Sequence, residues 1–212
     1  MKALLYKEWK LIVNPLFLLV PLFSVLILIP QWVFFVALLY FCFMSAPNLF
    51  TLSKTYNEVY FSASQPVRRR DIVKARVLTL VVLEVLQILA AAACVAARLL
   101  WMHQPNFFID PNLAFLGLNF VMFGLFNLVL LPMFFKTGYK IAMPVVLATA
   151  AAVVFAAAVE LGVTFVPFVR VFDGMRTTWV HIAALLGGAA LFAGMNWIAC
   201  RVSVARFEKI DL

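Results

Sequence analysis

Long apolar runs, separated by short polar or proline-containing turns, make up almost the whole chain. An α-helix needs about 20 predominantly apolar residues to cross the hydrocarbon of a bilayer, and most of these runs reach that length. The pattern predicts an all-α integral membrane protein with one transmembrane domain, residues 1–212, and six transmembrane helices. The spans fall in three pairs, over residues 15–52, 72–135 and 141–200, and a polar tail follows at 201–212.

The first 13 residues have an amphipathic pattern instead of a uniformly apolar one. Lys7 and Lys10 fall on one face of a predicted helix, and the opposite face holds Met1, Leu5, Trp9 and Ile12. Such a helix lies in the headgroup plane with its cations near anionic lipid. We therefore expect an interfacial elbow helix over residues 1–13, which ends at the Asn14-Pro15 pair.

The first predicted span, residues 15–29, is unusually short and contains Pro21. Since about 20 residues are normally required, this span must borrow residues at its edges or lie where the bilayer is thin. The second span, residues 32–52, begins at Trp32, a residue type typical of the membrane interface.

Composition supports a membrane protein. The chain is 66% hydrophobic and 12% charged, whereas a soluble domain is about 45–50% apolar and about 25% charged. There is too little polar surface to cover a water-soluble globule. We expect most of the 22 phenylalanines to face lipid.

The net charge of +8 reflects the orientation of a membrane protein and does not indicate nucleic-acid binding. With six spans, both termini lie on the same side of the membrane. If that side is the cytosol, 14 of the 17 Lys and Arg residues lie in cytosolic segments, and only Arg98, Arg170 and Arg176 lie outside. This excess obeys the positive-inside rule and predicts cytosolic termini.

Residues 56–76 form the longest polar segment and lie between the second and third predicted spans. An amphipathic run, Val59-Tyr60-Phe61, comes before Pro66, and five Arg or Lys residues follow between positions 68 and 76. We expect the loop over residues 53–71 to face the cytosol and to receive force from a soluble partner.

No motif for chemistry occurs in the sequence. It contains no G-x-x-x-x-G-K-[ST] phosphate-binding loop, no H-E-x-x-H and no G-x-S-x-G. Cys42, Cys94 and Cys200 lie in apolar runs without paired spacing, which indicates free thiols. We therefore expect no catalytic residue, no metal site and no cofactor in this chain, and a transport, scaffold or sensor role in place of an enzymatic one.

Four segments together resemble one family. SQPVRR at residues 64–69 and DIVKAR at 71–76 resemble the SLPVSRxxIVxxKY segment of the ABC-2 permeases, the membrane subunits of bacterial ATP-binding-cassette exporters. LPMFFKTGY at 131–139, SVARFEKIDL at 203–212 and MKALLYKEWK at 1–10 are similar to further segments of that family. Gln65 stands where the family usually has Leu, and Arg68 where it has Ser.

The resemblance implies the permease subunit of an exporter in the bacterial cell membrane. It also implies a second permease copy, in a homodimer or heterodimer, and separate ABC ATPase subunits that bind the ATP and Mg. The loop between spans two and three would carry a coupling helix that passes ATPase closure upward. The coupling residues would be Tyr56, Asn57, Glu58, Val59, Tyr60, Phe61, Pro66 and Arg68, with the three aromatics and Val59 as apolar anchors and Glu58 as a charged rim. Arg68, Arg69 and Arg70 also suit contact with lipid headgroups.

Two carboxylates lie inside predicted spans. An ionised group at the bilayer centre is costly, so Glu84 and Glu160 should face the bundle interior, a partner or water. They are candidates for the path of a cationic or amphipathic substrate, an amphipathic peptide, antibiotic or lipid-like molecule. Alternatively, they are structural, and Glu160 is near enough to the outer end to pair with Arg98 or Arg170.

Other readings of the chain stay open. Ala184–Gly188 and Ala190–Gly194 have small-xxx-small spacing, which suits packing within the chain or between two copies. A non-transporting membrane scaffold or immunity protein that sequesters its ligand is an alternative function. A membrane-embedded enzyme would need clustered Asp, His or Arg at one membrane face, and the sequence contains no such cluster.

Overall fold

A computed structural model describes residues 2–13, 15–101, 106–137, 140–167, 169–173 and 178–209. Throughout these ranges the chain is helical, with short turns and no strand. Of the residues singled out in the sequence, Met1, Asn14, Gly138, Tyr139 and Arg176, and the tail end at 210–212, lie outside them. The α-helices are α1 (Lys2–Lys7), α2 (Phe35–Tyr40), α3 (Ala46–Thr55), α4 (Glu58–Ser64), α5 (Arg69–Trp101), α6 (Leu113–Phe134), α7 (Ala142–Phe165) and α8 (Thr178–Phe207).

Five helical stretches in the described part of the chain are long and apolar enough to cross a membrane. The first, Phe35–Thr55, joins α2 and α3 through a π-helical segment, Phe41–Ser45; the others are α5, α6, α7 and α8. The all-helical membrane architecture is thus confirmed. The count of six spans depends on the segment before α2.

That segment, Pro15–Leu28, is a 3-10 helix of 14 residues. A 3-10 helix rises about 2.0 Å per residue, so these residues extend roughly 28 Å, against roughly 21 Å for an α-helix of the same length. Tighter winding therefore brings a short sequence close to the roughly 30 Å thickness of the hydrocarbon.

Helices α6 and α8 pack with their backbones in direct contact. A Cβ added to Gly188 would lie 2.1 Å from the carbonyl oxygen of Gly117, and one added to Gly117 would lie 2.3 Å from that of Ala184. Backbone thus touches backbone where the two helices cross. The Ala184–Gly188 pair packs within the chain, while Gly187 and Gly194 have open space beside them.

The expectation that the phenylalanines mostly face lipid is wrong. Many of their rings are buried between helices, where they meet edge to face; Phe50 and Phe134, for example, lie 4.6 Å apart between centroids. Aromatic rings bury more area than aliphatic side chains and favour tilted contacts. The fully buried rings are those of Phe34, Phe35, Phe50, Phe115, Phe123, Phe126, Phe134, Phe135 and Phe207.

Near its C-terminal end, α5 binds the end of the 3-10 helix Pro15–Leu28 through one arginine. Its buried Arg98 donates from Nη1 to the carbonyl oxygens of Ile27 and Ile29, at 3.0 and 3.2 Å. The guanidinium lies 4.8 Å from the centre of the Phe34 ring. These bonds satisfy carbonyls that the end of the 3-10 helix leaves without intrahelical donors.

Helix α5 is longer than the hydrocarbon is thick, because 33 residues make a helix of about 50 Å. At its N-terminal end Arg69 donates to the carbonyl of Glu208 at 3.3 Å, and Arg206 of α8 donates to the carbonyl of Pro132 in α6 at 2.8 Å. Since α8 continues to Phe207, the first part of the predicted polar tail is helical.

Candidate functional site

A sharp turn sets the direction of α4. Asn57 lies between α3 and α4 with φ 47 and ψ 34, the left-handed conformation. Most residues avoid this region, and asparagine is one of the few that adopt it readily. The turn lets the chain leave the end of α3 and start a separate short helix before α5.

The outer face of this turn and helix is aromatic and exposed. Tyr56, Tyr60 and Phe61 are 59%, 62% and 57% exposed, and Pro66 and Arg68 are exposed on the following turn. The Val59 side chain lies outside the described part of the structure. We call Tyr56, Tyr60 and Phe61 the aromatic face; it presents apolar rings on the predicted cytosolic side of the molecule.

The inner face of α4 carries a buried carboxylate. Glu58 is only 3% exposed, so the expectation that it forms a charged rim is wrong. Its Oε1 accepts from Lys7 Nζ and, at 2.9 Å, from Ser62 Oγ. Its Oε2 accepts from Arg76 Nη2 and, at 3.0 Å, from Ser53 Oγ.

Arg76 extends this arrangement to the N-terminal segment. Its Nε lies 3.0 Å from Glu8 Oε2, and its Nη2 lies 3.2 Å from Glu8 Oε1 and 3.1 Å from Ser53 Oγ. Both Arg76 and Glu8 are almost fully buried. The ion cluster, as we name Lys7, Glu8, Glu58 and Arg76, contains two cations and two anions and joins α1, α4 and α5.

The surroundings act differently on the two carboxyls. Burial acts to raise the pKa of Glu58, but Arg76, Lys7 and Ser62 together outweigh it and hold that pKa below its usual value. For Glu8, burial is the largest effect and raises its pKa despite the nearby Arg76. Because the pKa of Glu58 is lower in the folded than in the unfolded chain, its stabilising effect is complete above the unfolded pKa and is lost as the pH falls through the folded one.

The sequence pattern does not reveal this cluster. It predicts that Lys7 lies near lipid headgroups and indicates no role for Glu8 or Ser53. Arg76 falls in the polar stretch, and the pattern indicates no partner for it. The pairs join residues 68 and 51 positions apart, and no local pattern signals such pairing.

Glu160 borders a second candidate site at the other end of the bundle. A cavity of about 340 Å³ lies between α2 and α7, with apolar walls that include Phe35, Leu39 and Val153. Glu160 Oε2 accepts from the backbone N–H of Ile109 at 3.1 Å, while Oε1 has no hydrogen-bond partner in the described residues. The predicted alternative of an ion pair with Arg98 or Arg170 is not observed among them; both arginines donate to backbone carbonyls.

Glu84 has a different environment. It is fully buried where α5, α6 and α8 meet, and its Oε2 accepts from Asn127 Nδ2 at 2.7 Å. Asn127 Nδ2 also donates to Asn196 Oδ1 at 2.9 Å. The arrangement is an interhelical polar junction, and it does not place Glu84 near Glu160.

Comparison with known proteins gives one result. The family model described as "ABC-2 family transporter protein" matches residues 3–208. No curated protein and no solved structure matches the chain.

Proposed function

Since the chain belongs to the ABC-2 transporter family over nearly its whole length, we propose that it is the permease subunit of an ABC exporter and that a separate ATPase moves it through α4. Family membership makes it a membrane component of an ABC transport system and implies association with ABC ATPase subunits. The observation that carries the proposal is the two-sided character of α4. One side is aromatic and exposed, and the other is fixed by buried ions.

The aromatic face supplies what a groove on a soluble ATPase requires. A short helix docks through a few apolar anchors that leave water on binding, and tyrosine is enriched among residues that dominate binding energy. Tyr56, Tyr60 and Phe61 are more than half exposed. Rings that remain exposed bury little area on folding, so these three are not required for the folding of this short polar segment. Arg68, exposed nearby, adds a cation at the edge of the contact.

The ion cluster then carries the movement into the membrane. Glu58, on the inner side of α4, is held by Lys7 of α1 and by Arg76 of α5. Separating these groups would leave charges buried without partners, at a cost of about 3–5 kcal/mol. A movement of α4 therefore displaces α1 and the start of α5 together. Because α5 is one continuous helix, this displacement is transmitted along its whole length.

The orientation is part of the proposal. Both termini and α4 face the cytosol of a bacterial cell, as the basic residues indicate. The 3-10 helix Pro15–Leu28 is the first span along the chain and brings the total to six, because its roughly 28 Å nearly match the hydrocarbon. A second permease chain, identical or a sister, completes the translocation path.

Removing the aromatic face should separate permease from ATPase without unfolding it. We expect the Tyr56→Ala/Tyr60→Ala/Phe61→Ala variant to retain less than about one tenth of the Walker-motif ATPase that copurifies with the unmodified protein, because each buried anchor contributes about 2 kcal/mol. The apparent Tm should not change. Trp179→Ala, which removes an 80% exposed ring at the start of α8, is the control. Equal recovery of ATPase by both variants, or no ATPase with the unmodified chain, contradicts the proposal.

The cavity beside Glu160 supports an amphipathic cation as substrate. Ligand sites are concave and mostly apolar, with a few placed polar groups, and a carboxyl within a span is a functional candidate. Here a partly open hollow of about 340 Å³ with apolar walls lies next to a carboxyl oxygen without a partner among the described residues. Glu84 also has one carboxyl oxygen without a partner among the described residues, but it is fully buried at a junction between helices. Glu160 lines the hollow itself and is therefore the stronger candidate for the substrate path.

We expect Glu160→Gln to impair transport of cations in particular. In vesicles that hold permease and ATPase, stimulation of ATP hydrolysis by tetraphenylphosphonium should fall by about tenfold, the effect of losing one contact of roughly 1.4 kcal/mol. Uncharged tetraphenylsilane, of similar shape, should be unaffected. Glu208→Gln, at an exposed position, is the control. Equal stimulation of Glu160→Gln and unmodified protein by the cation would remove Glu160 from the path, and Glu84→Gln tests the other carboxyl in the same assay.

A further inference from the structure

A trough on the membrane-facing side lies between the 3-10 helix and the second span. Its larger part has a volume of about 480 Å³, between Phe17, Val20 and Phe23 on one side and Met44, Asn48 and Leu52 on the other, with Leu19 and Ser45 also in its wall. A second hollow of about 310 Å³ continues along the 3-10 helix through Leu22, Val25 and Leu26 and shares Leu19 and Phe23 with the first.

We propose that this trough binds one acyl chain of a membrane phospholipid. From Phe17 to Leu26 the 3-10 helix rises about 18 Å, and half the hydrocarbon thickness, the depth of one leaflet, is about 15 Å. The trough therefore has the length of one acyl chain. With the proposed orientation, Asn48 and Leu52 lie toward the cytosol, so the lipid belongs to the inner leaflet. The choice of leaflet and the placement of Pro15–Leu28 as a span both rest on the proposed function.

One buried polar group in the wall supports a lipid instead of plain helix packing. Ser45 is 1% exposed, and its Oγ has no hydrogen-bond partner in the described residues. A buried hydroxyl without a partner costs about 1–3 kcal/mol, and a serine in a helix usually donates to a carbonyl of the preceding turn. An ester carbonyl of a phospholipid accepts such a bond, and the Asn48 amide, one turn further along the same face, adds a second donor.

Irregular helix borders the trough on both sides, although Asn48 and Leu52 lie in the α-helix α3. Pro15–Leu28 is a 3-10 helix, and the π-helical segment Phe41–Ser45 ends at the serine in question. π-helical turns occur frequently at functional sites. Two separate irregular segments thus border the same space.

Photolabelling tests the assignment. The full chain is reconstituted in vesicles of phosphatidylethanolamine and phosphatidylglycerol that contain a small fraction of phosphatidylethanolamine with a diazirine in one acyl chain. We expect label to concentrate on residues 17–26 and 44–52 relative to the exposed face of α8, where Leu186, Leu191 and Ile198 meet bulk lipid. Ser45→Phe fills the trough and should lower that ratio by about tenfold, whereas Phe43→Trp, at an exposed position outside it, should not.

Two further variants keep the test decisive. If Ser45→Phe does not fold, Leu19→Trp fills the trough from its exposed side. Ser45→Ala removes only the hydroxyl and should lower the ratio by about fivefold, which is one hydrogen bond of roughly 1 kcal/mol. Even labelling of the trough and α8, or no effect of Ser45→Phe or Leu19→Trp, overturns the proposal. So does efficient crosslinking of two Leu19→Cys chains in the same vesicles, which would show that a second copy covers the trough. None of these readouts requires ATPase or transport.

Discussion

Arg76→Ala will lower the apparent Tm by roughly 6–20 °C. Its guanidinium contacts both buried carboxylates of the ion cluster, and removal of one partner from a buried ion pair costs about 3–5 kcal/mol because the remaining charge lacks compensation. For a chain of this size, 1 kcal/mol corresponds to about 2–4 °C. Thermal unfolding in detergent, followed by circular dichroism, measures the change.

Arg70→Ala is the matched control for this prediction. Arg70 lies on the same helix but is exposed, and exposed substitutions usually change stability by less than about 0.5 kcal/mol. A second comparison separates charge from packing. Arg76→Met in a Glu8→Gln/Glu58→Gln background leaves no uncompensated carboxylate, so it should unfold at a higher temperature than Arg76→Ala alone. Equal Tm values for Arg76→Ala and Arg70→Ala would show that the cluster does not hold α1, α4 and α5 together.

Gly188→Ala will separate α6 from α8. The added Cβ would lie 2.1 Å from the Gly117 carbonyl oxygen, a backbone atom that cannot rotate away. Overpacking of this kind typically costs about 1–3 kcal/mol, and occasionally more. We expect the apparent Tm to fall by roughly 2–12 °C and cysteine crosslinking between the two helices to slow.

Gly187→Ala, one residue earlier on α8, provides the control. No atom lies within 4 Å of the Cβ that it would add, and alanine favours a helix over glycine by about 0.8–1.0 kcal/mol. Gly187→Ala should therefore be at least as stable as the unmodified chain. If both variants lose stability equally, the loss comes from the α8 backbone and not from the crossing with α6.

The membrane helices could be predicted from the sequence because each is a local property. A run such as Asn112–Phe135 is apolar along its whole length, and helix is the structure that satisfies every backbone group in lipid. The first span shows where this reasoning stops. Hydropathy marks residues 15–29 as apolar but does not say how tightly they wind, and the 3-10 helix found there packs along α5.

The candidate sites were predicted only in part for the same reason. The aromatic face came from local amphipathicity together with the family resemblance. The inward position of Glu58 depends on Lys7 and Arg76, which reach it from α1 and α5, so residue type alone could not distinguish an exposed rim from a buried pair. Glu160 was found because a carboxyl inside an apolar run is conspicuous, while the cavity beside it exists only once α2 meets α7.

The fastening of the N-terminal segment at both ends sets a mechanical limit on the protein. Arg76 holds Glu8 at one end, and Arg98 holds the carbonyls of Ile27 and Ile29 at the other. Rewinding Pro15–Leu28 from 3-10 to α would shorten it by about 7 Å, and with both ends attached it can do so only if α5 leans or one attachment opens. The segment is therefore held in its longer, 3-10 form along α5. The change in length that rewinding to α would give, about 7 Å, exceeds the roughly 5.4 Å rise of one α-helical turn.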